Sequence, residues 1–298
     1  MRAPAFFITP PRLHSSPVSR ISRPMQQVVK RLLAEQVRAV FNDTANGERP
    51  VQRRADGLFG PASAAWRVHG DITTMMVGGV SALLLQMLHP AVLAGVWDHS
   101  NFRHDMHGRL RRTARFIALT TYGGRAEAEA VIAKVRGIHR QVHGTLPDGM
   151  AYSAQDPALL SWVHVTETIS FLHAWIRYAD PAMPIAEQDR YFAEVAVVAR
   201  SLGAPAVPTT RAETLACIEA MRPRLRSDRR TREVARLILP RPGLDPQKLP
   251  LQLIGRAAVD LLPEWARRLH GLRASVLSRP VVAGGTLAMA RTLRWAMR

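Results

Sequence analysis

Hydrophobic residues recur at helical spacing along almost the whole chain. Between residues 25 and 41, Val28, Val29, Leu32, Leu33, Val37, Val40 and Phe41 form one stripe, the signature of an amphipathic helix. Residues 72–97 contain no charged residue until Asp98 follows them. That stretch is long enough to span a bilayer, but Gly78-Gly79, Ser81, Gln86 and His89-Pro90 interrupt it and its neighbours are amphipathic. We read it as the central helix of a bundle, buried on all sides. Further helices are predicted over 108–121, 125–144, 156–178, 185–202, 211–225, 231–239, 247–262 and 279–295, separated by Gly123-Gly124, Pro147-Asp148-Gly149, Pro181, Pro184, Gly203-Ala204-Pro205, Pro240, Pro242 and Pro263. Residues 42–70 read as a linker that ends in GLFGPASAAWRVHGD, with Asp71 placed to cap the next helix. No segment alternates at the strand period, and no repeat is present. The expectation is an all-α fold: residues 25–298 as one helical domain, preceded by a disordered basic arm over 1–24.

Composition narrows the class. The chain has 298 residues, 47% of them hydrophobic, and a formal net charge of +18. Such a charge first suggests nucleic acid or an anionic membrane surface. Only Lys30, Lys134 and Lys248 are lysines, and the arginines are spread along the chain. The densest run, Arg222 to Arg236, has no interleaved aromatics and no recognisable binding module, so nucleic acid is not expected as a partner. Peripheral contact with anionic lipid remains compatible, through the arginine face or the final helix. Cys217 is the single cysteine, which excludes an internal disulfide and thiolate-rich metal sites and points to a reducing, cytoplasmic setting. The first 24 residues lack acids and carry no apolar run of signal-peptide length.

Candidate chemistry is concentrated after the apolar run. The stretch ALLLQMLHPAVLAGVWDHSNFRHDMHGRLRRT passes from greasy helix to a loop of His and Asp and then to arginines. Dry walls leading to imidazoles and guanidiniums suit a cofactor that is apolar at one edge and anionic at the other, as haem is. Arg109, Arg112, Thr113 and Phe116 share a helix face at i, i+3, i+4 and i+7, and a guanidinium clamps a carboxylate well. His139 and His143, one turn apart in VRGIHRQVHG, could bind one metal. Val135, Ile138 and Val142 flank His139, so it is a candidate axial ligand; an ordinary core histidine explains the same spacing. His164 lies in the apolar LLSWVHVTETISFLHAW, with Glu167 and Thr168 one turn on. A carboxylate there must reach water or belong to a site. A non-haem iron or zinc site drawn from His99, His104 and His107 is the competing reading. Leu84, Leu85, Leu88, Phe116 and Trp162 are candidate dry walls.

The successive motifs GLFGPASAAWRVHGD, ALLLQMLHPAVLAGVWDHSNF with GRLRRTARF, IHRQVHG and YSAQDPALLSWVHVTE resemble the bacterial and fungal family of latex-clearing rubber oxygenases and MpaB-type oxygenases. That family includes the fungal oxygenase that cleaves a farnesyl side chain in mycophenolic acid biosynthesis. The resemblance covers about residues 57–222. It implies a helical fold with a globin-like haem pocket, haem b, and dioxygen-dependent oxidation of an apolar, isoprenoid- or lipid-like substrate. It also implies that Arg109 and Thr113 are the Arg and Thr of the R-x-x-x-T helix beside the haem, that His139 is the proximal ligand to iron, and that His164 is a second recurrent histidine. Arg112 stands where rubber oxygenases place an iron-ligating lysine. A guanidinium stays protonated, so no lysine-closed form is expected. The acid that rubber oxygenases carry upstream of the Arg has no counterpart in LHPAVLAGVW. The reading is therefore a haem-dependent oxygenase with Arg109, Arg112 and Thr113 as candidate catalytic residues, and with His139, Arg109, Thr113, Phe116 and His164 as the cofactor pocket. A non-catalytic haem carrier and a membrane-surface protein are the other readings.

Overall fold

The computed structural model describes residues 23–41, 47–239, 243, 245, 248–273 and 279–297. Residues 1–22 of the proposed arm lie outside them. Among the described residues the fold is all-α, thirteen helices with one two-stranded hairpin. The helices are α1 (Arg23–Phe41), α2 (Ala64–Val68), α3 (Ile72–Gln86), α4 (Pro90–His99), α5 (Met106–Tyr122), α6 (Arg125–His139), α7 (Pro157–Tyr178), α8 (Ile185–Leu202), α9 (Arg211–Met221), α10 (Arg229–Ile238), α11 (Leu249–Leu261), α12 (Glu264–His270) and α13 (Arg279–Met297). Strands β1 (His143–Thr145) and β2 (Ala151–Ser153) sit between α6 and α7, paired antiparallel with Gly144 opposite Tyr152.

The apolar run after residue 72 forms two helices, not one. Asp71 caps α3, accepting from the Thr74 N–H at 2.8 Å. After Gln86 the chain turns, and His89 caps α4 by accepting from the Ala91 N–H, with Pro90 in the first turn. Proline at that position sacrifices only an N–H that has no helical partner anyway. The two helices meet at 105°. No single helix among the described residues is long and apolar enough to cross a membrane.

α3 and α7 form the centre, with α11 and α13 laid over α3 and with α8 and α9 beside α7. Gly78 permits the closest approach: a Cβ there would sit 2.9 Å from the Phe171 Cα and from the Ser170 carbonyl oxygen. Around this contact Leu84, Leu88, Trp162, Leu172, Tyr191 and Phe192 are almost wholly buried. α13 belongs to the bundle, packing on α1, α3, α7 and α11. Its Arg294 reaches the buried Asp71 carboxylate and donates to the Tyr178 carbonyl at 2.8 Å. α12 was not expected from the hydrophobic pattern. Its His270 donates from Nε2 to the Leu84 carbonyl at 2.8 Å.

The helix predicted over 125–144 stops at His139. Arg140 is its C-cap, Val142 N–H bonds back to the His139 carbonyl, and His143 is already in β1. Gly144 fits because the Tyr152 ring lies across it, 2.8–2.9 Å from where a Cβ would stand. The Tyr152 hydroxyl donates to Asp98 at 2.7 Å, which fixes the hairpin to the end of α4.

Candidate functional site

α5 and α6 are joined by Gly123 and Gly124 alone and pack together, so they run antiparallel. Asp105 caps α5, accepting from the Gly108 N–H at 2.8 Å. A Cβ at Gly108 would fall on the Asp105 carboxylate and push the cap aside. The hairpin sets the last residue of α6, His139, level with the first turns of α5, where Arg109 and Thr113 lie. On α6 Ala128 and Ile132 are buried and Val131, Val135, Gly137 and His139 half-buried; all but Gly137 fall on one stripe at helical spacing. His139 therefore faces inward, toward α5 and α8, the two helices on which α6 packs.

His139 Nδ1 is buried and has no hydrogen-bond partner. Burial holds the ring's pKa below its ordinary value, so it stays neutral near pH 7. Arg109 is half-buried, and no ion pair or hydrogen bond of its guanidinium occurs among the described residues. Burial, and the nearby Arg112, lower its pKa: the charge sits where an anion would relieve it. Arg112 turns outward and pairs with the capping Asp105 at 3.3 Å, both side chains well exposed. Thr113 is exposed, its hydroxyl donating to the Arg109 carbonyl at 3.2 Å. Phe116 is half-buried one turn further along. Arg109, Thr113, Phe116 and His139 thus share one hairpin.

His164 comes from α7. Its Nε2 is buried without a partner, and burial, with Arg200 nearby, lowers its pKa to about 4. Thr168, at i+4, donates back to the His164 carbonyl and does not touch the ring. Glu167 has no hydrogen bond or ion pair among the described residues, and burial pushes its pKa up to about 7. Both residues are half-buried. His173 has the same character, with a pKa lowered to about 4 by burial and by Arg211, and it does line a cavity.

α7 carries these residues on opposite faces. His164, Glu167 and Phe171 are spaced at i, i+3 and i+7, whereas Trp162, Ile169 and His173 point the other way round the helix. Leu85 and Trp162, expected as walls beside His139, line the cavity on the His173 face, and Leu84 and Leu88 belong to the central core. Of the expected walls, Phe116 alone lies on the α5–α6 hairpin.

A group on the same side escaped the sequence reading. His69, the C-cap of α2, bonds through Nδ1 to Thr121 Oγ1 at 2.8 Å and through Nε2 to the Tyr191 hydroxyl at 2.9 Å. Burial lowers its pKa to about 3 and raises that of Tyr191 well above the usual range, with the Glu167 charge adding to the effect. The hydrogen-bonded chain Thr121–His69–Tyr191 ties α5, α2 and α8 together. The only trace in sequence is a histidine inside WRVHGD.

The loop histidines do not assemble. His104 and His107 are exposed, and His99 bonds through Nε2 to the His143 carbonyl at 3.0 Å. No group of three His, Cys, Asp or Glu side chains placed to hold a metal ion occurs among the described residues, so the metal reading through His99, His104 and His107 lacks a ligand set. His139 and His143 do not share a helix face, since one ends α6 and the other starts β1.

One family model matches residues 66–296: ER-bound oxygenase mpaB/B'/Rubber oxygenase, catalytic domain. No curated protein and no solved structure matches the chain.

Proposed function

Because the chain belongs to the mpaB and rubber oxygenase family, an oxygenase family, we propose that it is a haem-b-dependent enzyme acting with dioxygen on an apolar, isoprenoid- or lipid-like substrate. The observation that carries this reading is the α5–α6 hairpin, which sets an inward, neutral His139 level with a half-buried, unpaired Arg109. The residues fit the group: a neutral imidazole is the common axial donor to haem iron, and a guanidinium pairs with a propionate carboxylate. A globin-like pocket is part of the same proposal. Bound there, haem would supply the binding and activation of dioxygen.

The chain's own residues bind, orient and exclude water. His139 would be the ligand to iron, Arg109 would hold a propionate, and Phe116 would give an apolar wall that keeps the site dry. Thr113 keeps its hydroxyl at the open edge of the hairpin, free to accept a further hydrogen bond while it donates to its own helix. Arg112 stands at the same edge, its charge offset by Asp105. A second assignment rests on a specific observation: the buried, unpartnered nitrogen of His164 is Nε2, the atom through which histidine most often meets a metal.

Absorption spectra of the purified protein, His139→Ala and His164→Ala test both assignments. The wild type and His164→Ala are expected to show a Soret band, and His139→Ala to lose it while keeping its helical circular dichroism. Loss with His164→Ala alone would exchange the two roles. Well-folded wild-type protein, prepared with ample haem and still colourless, would end the proposal. Oxygen uptake with reductant and an isoprenoid substrate then separates an oxygenase from a haem carrier.

A further inference from the structure

α1 has more apolar surface than the bundle covers. The stripe read from its sequence divides in the structure: Val29 and Leu33 are half-buried, while Met25, Val28 and Leu32 are each more than half exposed. The helix packs mainly on α13, with a smaller contact to α5. Met25, Val28 and Leu32 are spaced at i, i+3 and i+7, so they stand together on one outer face. Single apolar residues on a surface, such as Leu215 on α9 and Leu237 on α10, need no explanation. Three on one helix face call for a cover.

Charge selects what that cover is. The first acid in the chain is Glu35, and ahead of it stand Arg2, Arg12, Arg20, Arg23, Lys30 and Arg31. Arg31 borders the exposed stripe, is itself exposed and has no ion pair among the described residues. A second copy of the chain would bring the same cations to the same place, and like charges repel. An anionic bilayer offers both things the face lacks: hydrocarbon for Met25, Val28 and Leu32, and phosphate for the arginines. α10 presents only half of this pattern. Its Arg229, Arg232 and Arg236 are exposed, but Val234 and Ala235 are buried in the bundle and Leu237 alone is left outside. α13, the other face expected to meet lipid, is packed on four helices.

We infer that α1 is an interfacial helix that seats the protein on the surface of an anionic bilayer, with Met25, Val28 and Leu32 inserted and Arg31 at the headgroups. The helix lies along the surface, as its polar half requires. The contact needs neither haem nor His139, so its test is separate from that of the oxygenase reading.

Sedimentation of the full chain with vesicles of phosphatidylcholine alone, and of phosphatidylcholine mixed with phosphatidylglycerol, tests it. Binding to the anionic vesicles only is expected, falling as salt is raised. Leu32→Asp should weaken it by about tenfold or more and leave the melting temperature unchanged, because the side chain is exposed; Val28→Asp repeats the test at an independent position. Arg31→Gln should weaken binding about fivefold, the worth of one arginine near an anionic surface. A variant combining Arg229→Gln, Arg232→Gln and Arg236→Gln should bind as the wild type does. Failure to bind anionic vesicles, binding that survives both aspartate substitutions, or loss in the α10 variant would overturn the inference. So would a lower melting temperature in Leu32→Asp, or a dimer that this substitution splits: the stripe would then be covered by the chain itself or by a second copy.

Discussion

The α3–α7 pair and the α5–α6 hairpin are both made of long helices, and they are packed very differently. Twelve of the twenty-two residues of α7 are buried, against four of the seventeen of α5, three of them in its last turn. α7 and α3 meet so closely that a glycine is needed between them. α5 leans on α6, with smaller contacts to α1 and α2, and leaves Arg109, Thr113 and Phe116 partly uncovered. Close packing fixes where the helices lie. Both regions leave buried polar atoms without partners: His139 Nδ1 on the hairpin, and Trp162 Nε1, His164 Nε2, Ser170 Oγ, Trp175 Nε1 and the Tyr178 hydroxyl on α7. The hairpin differs in setting beside its orphaned imidazole a half-buried guanidinium, Arg109, that pairs with no carboxylate among the described residues, and an interior tolerates few unpaired charges.

The comparison breaks first at Gly78. Gly78→Val would force two branched carbons into the Phe171 backbone, and overpacking against backbone has no cheap relief. A loss of about 3 kcal/mol is expected, read as a fall in the urea midpoint. A valine tolerated there would mean that the two helices are not locked as described. Next comes Arg294→Ala, which leaves the buried Asp71 carboxylate without its cation while its cap to Thr74 remains. About 2 kcal/mol should be lost, less than for a wholly buried pair because the arginine is partly exposed. An unchanged melting temperature would show that α13 is not anchored through this contact.

Within α7, His164 and Glu167 should respond to acid in opposite senses. The His164 pKa falls from an ordinary 6.5 to about 4 on folding, so its contribution to stability is complete above 6.5 and is lost as the pH falls toward 4. The Glu167 pKa rises from 4.5 to about 7. Its burial costs nothing extra below 4.5, and the cost of the charge grows as the pH rises through 7. Glu167→Gln is therefore expected to stabilise the protein by roughly 1–2 kcal/mol at pH 8 and by little at pH 4.5. An equal effect at both pH values would show that the carboxyl is solvated.

Much of the core was legible in the sequence, as was the placing of Arg109, Thr113, Phe116 and His139 on two successive helices, for identifiable reasons. Capping residues announce themselves: Asp71 was placed at a helix start from its position before an apolar run, and it caps α3. The His89-Pro90 break was visible, but not that it turns the chain by 105°, because direction after a break depends on what the next helix packs against. His143 was misplaced because Gly144 lies opposite Tyr152, and a strand pairing across such an interval leaves no local period. The walls went astray for a similar reason. Leu85 and Trp162 are as apolar as any wall should be, and hydrophobicity does not say which side of α7 they line. His69 was invisible, since its partners Thr121 and Tyr191 are 52 and 122 residues away.

The smallest expected effect is the most discriminating. Thr113 is exposed and bonds only to the carbonyl of Arg109, in its own helix. Alanine has the higher helix propensity, and a threonine hydroxyl bonded back to the helix adds little. Thr113→Ala should therefore change stability by no more than about 0.5 kcal/mol. A residue that only fills surface would be silent in every other measurement too. If the hairpin is under-packed because it serves a site, the same substitution should alter the visible spectrum or the rate of oxygen uptake severalfold while the melting curve stays where it was. A variant with unchanged spectrum and rate would mean that the open face of α5 is merely solvated surface, and the contrast with α7 would then concern packing alone.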